Sequence, residues 1–277
     1  MPSPATPSSH GPNEPAPASR AWSDPELANP HAHREKQEKV RRMFAAIASS
    51  YDLNNRVHSL GQDQRWRRFA VRQAKPLATD HVLDVACGTG DLARAFARAT
   101  PAPARVVALD YTQEMLDVAE RQRVALASSP KAVARPVEAG ISYIRGDAQA
   151  LPFEDRSFDV LSIAFGIRNV GDPARAIAEF ARVLRPGGRL VILEFDKPRF
   201  APARWFSDFY TTKIMPRTAT WISGDRSGAY KYLPASVQTF LDRDQLASLI
   251  GRSGFVDVRS TALSMGICVC HLATRAS

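Results

Sequence analysis

His81-Val82-Leu83-Asp84-Val85-Ala86-Cys87-Gly88-Thr89-Gly90-Asp91 is the stretch whose reading decides the fold. Val82 to Ala86 is a short, almost wholly apolar run, the pattern of a strand buried on both faces. It ends in a glycine turn, after which Leu92, Phe96 and Ala97 recur at helical spacing. A strand that enters a helix through glycines is the opening unit of an open parallel sheet, and such sheets bind ligands beyond the carboxyl ends of their strands. Glycines at that point let the backbone pass close under a ligand where a side chain would block it.

The same unit repeats outward from there. Arg105 to Asp110 reads as a second strand, with a helix from Thr112 to about Ala125 behind it. Ile141 to Arg145 is a third strand and Phe158 to Ala164 a fourth. Asp172 as cap and Pro173 as first helical residue start another helix. That helix stops at Arg185-Pro186-Gly187-Gly188, and Arg189 to Phe195 is a fifth strand. Asp242-Arg243-Asp244-Gln245 opens a helix as a capping box. Phe255 to Ala262 and Ile267 to Ala273 follow as two strands joined by a tight turn around Ser264-Met265-Gly266. The expected fold is α/β: a doubly wound, mostly parallel, seven-stranded Rossmann-like sheet with a C-terminal antiparallel hairpin.

Ahead of the sheet, Val40, Met43, Phe44 and Ile47 mark one helix from His33 to Tyr51, and Gln62 to Ala74 reads as another. No strand separates them, so residues 34–78 read as a helical cap on a core of 79–277, which carries an insertion at about 197–238. Residues 1–33, rich in Pro, Ser, Ala and Asn, cannot bury enough surface to offset their ordering entropy and read as disordered. They lack the apolar stretch of a signal peptide, and with Arg20 as their one arginine and acids at Glu14, Asp24 and Glu26 they do not read as a transit peptide. No run of about 18 apolar residues spans a bilayer.

The chain has 277 residues, 44% of them hydrophobic, with a net charge of +9. That excess suits nucleic acid, anionic membranes or phosphate-bearing ligands and identifies none of them. Cys87, Cys268 and Cys270 have no zinc spacing, no His/Cys cluster joins them, and no metal is expected. They read as small buried hydrophobes in a reducing compartment.

Acidic residues surround the glycine turn. Asp110, with Tyr111 beside it, closes the second strand about twenty positions beyond Gly88 and Gly90, where an acid accepts the hydroxyls of an adenosine ribose. Asp147 and Ala148 follow the third strand, where a carboxylate and a backbone amide can read an adenine edge. Asp84 and Asp91 add negative charge beside the turn, although Asp91 serves equally as a helix cap. A pyrophosphate would be repelled by these acids. A ligand with an ammonium and a sulfonium is attracted, which favours S-adenosylmethionine over a nicotinamide dinucleotide.

The stretch from Val82 to Asp91 resembles the first motif of the C-methyltransferases of ubiquinone and menaquinone biosynthesis. Tyr51-Asp52-Leu53-Asn54-Asn55-Arg56 with Ser59, Gly61 and Trp66-Arg67 is similar to their N-terminal signature. Ala164-Phe165-Gly166-Ile167-Arg168-Asn169-Val170, Glu194-Phe195-Asp196-Lys197-Pro198 and Tyr230-Lys231-Tyr232-Leu233-Pro234-Ala235-Ser236-Val237 resemble later ones. The resemblance runs from about residue 36 to 274 and implies the class I methyltransferase fold. It also implies cofactor contacts at Thr89, Asp110 and the Asp147-Ala148 pair. The family often has Ser where this chain has Ala164, so only a backbone contact is expected there.

The substrate so implied is a prenylated quinol, either a demethylmenaquinol or a ubiquinone precursor. Its ring carbon is a poor nucleophile until a neighbouring phenol, which ionises near pH 10, loses its proton. Arg168 is expected to favour the phenolate, Asn169 to orient the ring, and Tyr51 with Asp52 to close over the site as a lid. His271 reads as structural. Trp205, Phe206, Phe209, Tyr210 and Ile214, flanked by Lys197, Arg199, Arg204, Lys213 and Arg217, suit a segment at a membrane surface or over an apolar tunnel. A cytoplasmic protein, peripheral at the inner face of the membrane, is the expectation, with a homodimer or a quinone-biosynthesis complex left open. Nucleic acid is not expected: the cysteines lack the setting of RNA C-methyltransferases, and no aromatic-basic module is seen. A methyltransferase of other lipophilic phenols or sterols would share the cofactor half. A non-catalytic quinone carrier would need a broken turn or a missing ribose acid, and both features are intact.

Overall fold

A computed structural model describes residues 22–32, 35–128, 140–214, 218 and 228–277. Four helices come first: α1 (Asp24–Ala28), α2 (Lys36–Ile47), α3 (Tyr51–His58) and α4 (Gln62–Ala74). Then β1 (His81–Val85), α5 (Asp91–Ala97), β2 (Arg105–Asp110), α6 (Gln113–Ala127), β3 (Ile141–Arg145) and β4 (Phe158–Ala164) alternate. After these come α7 (Pro173–Val183), β5 (Leu184–Phe195), α8 (Ala201–Phe209), α9 (Ala229–Thr239), α10 (Arg243–Arg252), β6 (Phe255–Leu263) and β7 (Cys268–Arg275). The seven strands form one sheet in the order β3-β2-β1-β4-β5-β7-β6. Strands β1 to β5 are parallel, and β7 runs antiparallel between β5 and β6. The expected architecture is present, hairpin included.

Side chains alternate across the sheet, as strand geometry requires. Leu83, Val107, Leu161 and Ile163 pack with Ile177 and Phe180 of α7 on one face. Val82, Val106, Val160 and Val191 pack with Ala70 of α4 and Phe96 of α5 on the other. Asp172 caps α7, accepting from the backbone N–H groups of Ala174 (2.9 Å) and Arg175 (3.1 Å). Asp242 and Gln245 form the capping box of α10.

Three expectations need correction. The single helix from His33 to Tyr51 is two, because the chain turns at residues 48–50 before α3 begins. The break sets α3 over the carboxyl ends of the strands. The fifth strand begins at Leu184, with Arg185 to Gly188 making a register shift against β4 instead of a loop before the strand. The head is not disordered through residue 33. Residues 22–32 are structured, because Trp22 is buried and Ser23 with Glu26 caps α1. Residues 1–21 and 33–34, together with Arg217, lie outside the described residues, as do the side chains of Phe206 and Ile214.

Candidate active site

Two cavities meet above the carboxyl ends of the central strands. The smaller is lined by Ala86 and Gly88 after β1, Asp110 and Tyr111 after β2, and Asp147 and Ala148 after β3. Ala164, Phe165 and Gly166 line it from β4, and Gln37 of α2 closes it from above. Its floor is strained: Ala86 (φ 50°) and Phe165 (φ 58°) both take left-handed backbone, unusual for residues other than glycine. Gly166 follows because a Cβ there would lie 2.6 Å from the Cβ of Ala86.

Asp110 is buried, and its two oxygens accept the N–H groups of Gly88 (2.7 Å) and Thr112 (2.8 Å). Burial pushes its carboxyl upward, while those N–H groups pull it back. The Thr112 hydroxyl and the Tyr111 N–H also hydrogen-bond to it, so the carboxylate is held in place at the strand end. Asp147 accepts from Gln37 Nε2 (2.8 Å) and from the Gln149 N–H (2.9 Å), so its carboxylate is held at the mouth.

Three expected cofactor residues do not line this cavity. Asp84 lies within the sheet, where its Oδ1 accepts from Ser162 Oγ (2.7 Å) and its Oδ2 is buried with no hydrogen bond. The Thr89 hydroxyl donates to Asp52 (2.5 Å), which also accepts from Gln122 of α6 (2.7 Å). Gly90 turns the chain into α5, and a Cβ there would strike the Tyr143 ring at 2.5 Å. Asp84 therefore ties β1 to β4, and through Thr89 the Asp52 carboxylate latches α3 to the turn.

Burial pushes the Asp84 carboxyl from 3.8 up to about 7. A carboxyl raised on folding binds more protons folded than unfolded between those values, so it erodes stability as pH rises through that window. Asp84→Asn is therefore expected to raise the melting temperature at pH 8 and to change it less at pH 5. Equal shifts at both pH values in a thermal melt would show that Asp84 carries no such cost.

The larger cavity, about 350 Å³, is lined largely by apolar groups, among them Met43, Ile47, Trp66, Phe195, Leu233 and Ile267. Phe44, Tyr51 and Phe165 line both cavities and so form the wall between them. The Tyr51 ring sits edge-on to Phe44 with centroids 5.9 Å apart, and burial pushes its phenol upward. Tyr51 thus lies at the junction of the two cavities.

Arg168 and Asn169 straddle the same junction, Arg168 at the larger cavity and Asn169 at the smaller. Arg168 is only 4% exposed. Its Nη1 donates to Glu194 Oε1 and to the Phe165 carbonyl, both at 2.7 Å, and its Nε to Ser236 Oγ at 3.3 Å. Asn169 accepts from Tyr232 Oη (3.0 Å) and donates to the Phe165 carbonyl (3.2 Å). Lys36 is buried beside them, donating to the Val170 carbonyl at 2.7 Å. Desolvation, then the nearby Arg168, lowers its ammonium to about 8.

Gln37, Glu194, Tyr232 and Ser236 were not picked out as site residues. Glu194, Tyr232 and Ser236 fall within the stretches that resemble the family's signatures, whereas Gln37 left no trace. His271 is buried, pushed down to about 4 by desolvation, and bound to Ser260, as a structural histidine is. Among the described residues no cluster of His, Cys, Asp and Glu could hold a metal.

A profile of the ubiE/COQ5 methyltransferase family matches residues 32–275. A ubiquinone/menaquinone biosynthesis C-methyltransferase of Geobacter sp. (strain M21) is 40% identical over 245 residues, 88% of this chain and 100% of that protein. A demethylmenaquinone methyltransferase of Thermus thermophilus is 42% identical over 233 residues, 84% of this chain and 100% of its own length. The fold is shared with an S-adenosylmethionine-dependent methyltransferase of Thermotoga maritima (TM-score 0.56, 18% identity), with 85% of this chain and 99% of that one covered.

Proposed function

The chain belongs to the ubiE/COQ5 methyltransferase family, and from that premise we propose that it moves a methyl group from S-adenosylmethionine to a ring carbon of a prenylated quinol. The observation that carries this reading is the shared wall: a cavity edged by Asp110 and Asp147 at the strand ends lies beside a large apolar one, with Tyr51 and Phe165 lining both. Asp110 would hold the ribose, Asp147 with Ala148 the adenine edge, and the backbone of Gly88 and Ala164 the rest. When bound, S-adenosylmethionine supplies an electrophilic methyl on a sulfonium.

The protein's own part is to align, neutralise and exclude water. The apolar walls hold the ring and tail, and the Tyr51–Phe165 wall limits the approach to one line. With the methyl taken by the ring carbon, S-adenosylhomocysteine would be the leaving group, and the one proton released overall, that of the methylated carbon, would pass to bulk water. Arg168 and Lys36 set two cations against the single carboxylate of Glu194, a balance that favours the phenolate. Asn169, pinned by Tyr232, is placed to orient the ring oxygen.

The relatives' names cover both demethylmenaquinol and ubiquinone precursors. The test is to incubate the purified protein with S-adenosylmethionine and each class of short-tailed quinol, following methylated product by mass spectrometry. Product from either class supports the reading and names the substrate; product from neither refutes it.

No helix among the described residues is long and apolar enough to cross a membrane. Yet Phe200 and Trp205 are 63% and 70% exposed, and Trp205 stacks on the exposed Phe209 with centroids 5.8 Å apart. Arg199, Arg204 and Lys213 flank this patch, and Ser207, Asp208 and Tyr210 on the same segment line the larger cavity. The patch suits docking at the inner, anionic face of a membrane, where the tailed substrate resides. In vesicle flotation the protein is expected to rise with anionic liposomes, and the Trp205→Ala, Phe209→Ala double variant to stay at the bottom. Flotation of both alike, or of neither, argues against the docking role.

A further inference from the structure

The family match begins at residue 32, but the chain is already folded onto the domain from Trp22. Trp22 is 7% exposed and stacks on Tyr232 of α9, with ring centroids 4.7 Å apart and planes at 29°. The Lys39 ammonium lies 5.6 Å from the Trp22 ring centroid, and Lys39 also pairs with Glu26. At the other end of the segment, His31 Nε2 donates to the Ser236 carbonyl (2.9 Å), and its ring lies 5.4 Å from Phe240. Two anchors therefore grip α9, one at Tyr232 and one at Ser236.

Those two residues are also the ones whose side chains tie α9 to Asn169 and Arg168. Tyr232 Oη donates to Asn169 Oδ1, and Ser236 Oγ accepts from Arg168 Nε. Helix α9 also carries Pro234 in its interior, which removes one of its own hydrogen bonds. A helix so weakened depends on what packs against it. We propose that residues 22–31 form a strap that positions Arg168 and Asn169 through α9, with Trp22 as its principal positioning residue. The strap touches neither cavity itself. It rests on the methyl-transfer reading only for its kinetic consequence.

The test uses the full chain with Trp22→Ala and Trp22→Phe. Amide hydrogen exchange at Ile167 to Val170 and across α9 reports positioning without any substrate. Trp22→Ala is expected to speed exchange at Asn169 and Val170 and to lower kcat roughly 10-fold, with S-adenosylmethionine affinity held within about 2-fold. Trp22→Phe keeps a ring on Tyr232 and is expected to restore both exchange and kcat. Should Trp22→Ala not fold, His31→Ala removes the second anchor and is read at the same amides. Unchanged exchange at Ile167 to Val170 would overturn the proposal. So would a kcat loss matched by an equal loss of cofactor affinity, or a phenylalanine variant no better than alanine. If the wild-type protein methylates no quinol, the reaction reading fails, and the exchange data still decide the strap.

Discussion

Asp110→Ala is expected to abolish S-adenosylmethionine binding in a calorimetric titration, a loss of at least about 100-fold. The carboxylate stands at the end of β2 with both oxygens fixed by backbone N–H groups, the position from which an acid accepts ribose hydroxyls. Hydrogen bonds to a charged group contribute about 1.5–3 kcal/mol apiece, so two ribose hydroxyls account for a loss of that size. Alanine also frees the Gly88 N–H, which helps to hold the turn at a φ of 56°. Asp110→Asn keeps one acceptor oxygen and should fall between the two. Binding by the alanine variant within a few-fold of wild type would remove Asp110 from the cofactor site.

Arg168→Ala is expected to cost about 3–5 kcal/mol of stability in urea unfolding, because it leaves Glu194 charged and unpaired in the interior. Glu194 is 2% exposed, and Nη1 of Arg168 is its close partner at 2.7 Å. Substituting both, Arg168→Met with Glu194→Leu, should restore most of the stability, since apolar groups of similar volume commonly replace buried pairs at little cost. Methyl transfer should stay low in the double variant, because the cation facing the phenol is gone. Full activity in a stable double variant would reduce Arg168 to a structural part of the domain.

The central strands β1, β2, β4 and β5 were legible because each carries a nearly continuous apolar run. The limits of β2, β3 and β4 coincide with Arg105 to Asp110, Ile141 to Arg145 and Phe158 to Ala164. The caps at Asp172 and Asp242 were equally plain, since a cap is a local event written in adjacent residues. The break between α2 and α3 was not, because apolar spacing runs on across Ala48 to Ser50. Trp22 was hidden by its neighbours: one aromatic among prolines and serines leaves the local composition of a disordered segment.

In the site, sequence reading located the strand-end acids but not what holds them. Asp147 meets Gln37 across 110 positions, and Arg168 meets Glu194 across 26. Such pairings follow from sheet order, not from spacing. Asp84 and Thr89 lie off the cavity lining for a related reason. They stand beside the turn in sequence, but strand alternation points Asp84 at Ser162 on β4, and α3 brings Asp52 down onto Thr89.

The placement of β7 between β5 and β6 matters to the chain while it is being made. Translation delivers β6 before the strand that joins it to the sheet, and among the strands β6 pairs only with β7. Until β7 emerges, the outer edge of β5 is open, with its row of backbone groups and the side chains of Val191 and Leu193 beside it. Such an edge is a template for pairing with another nascent chain. A chain released before β7 is made would thus lack both part of the apolar cavity's wall and the strand that covers this edge, a natural client for a chaperone that recognises unpaired strands.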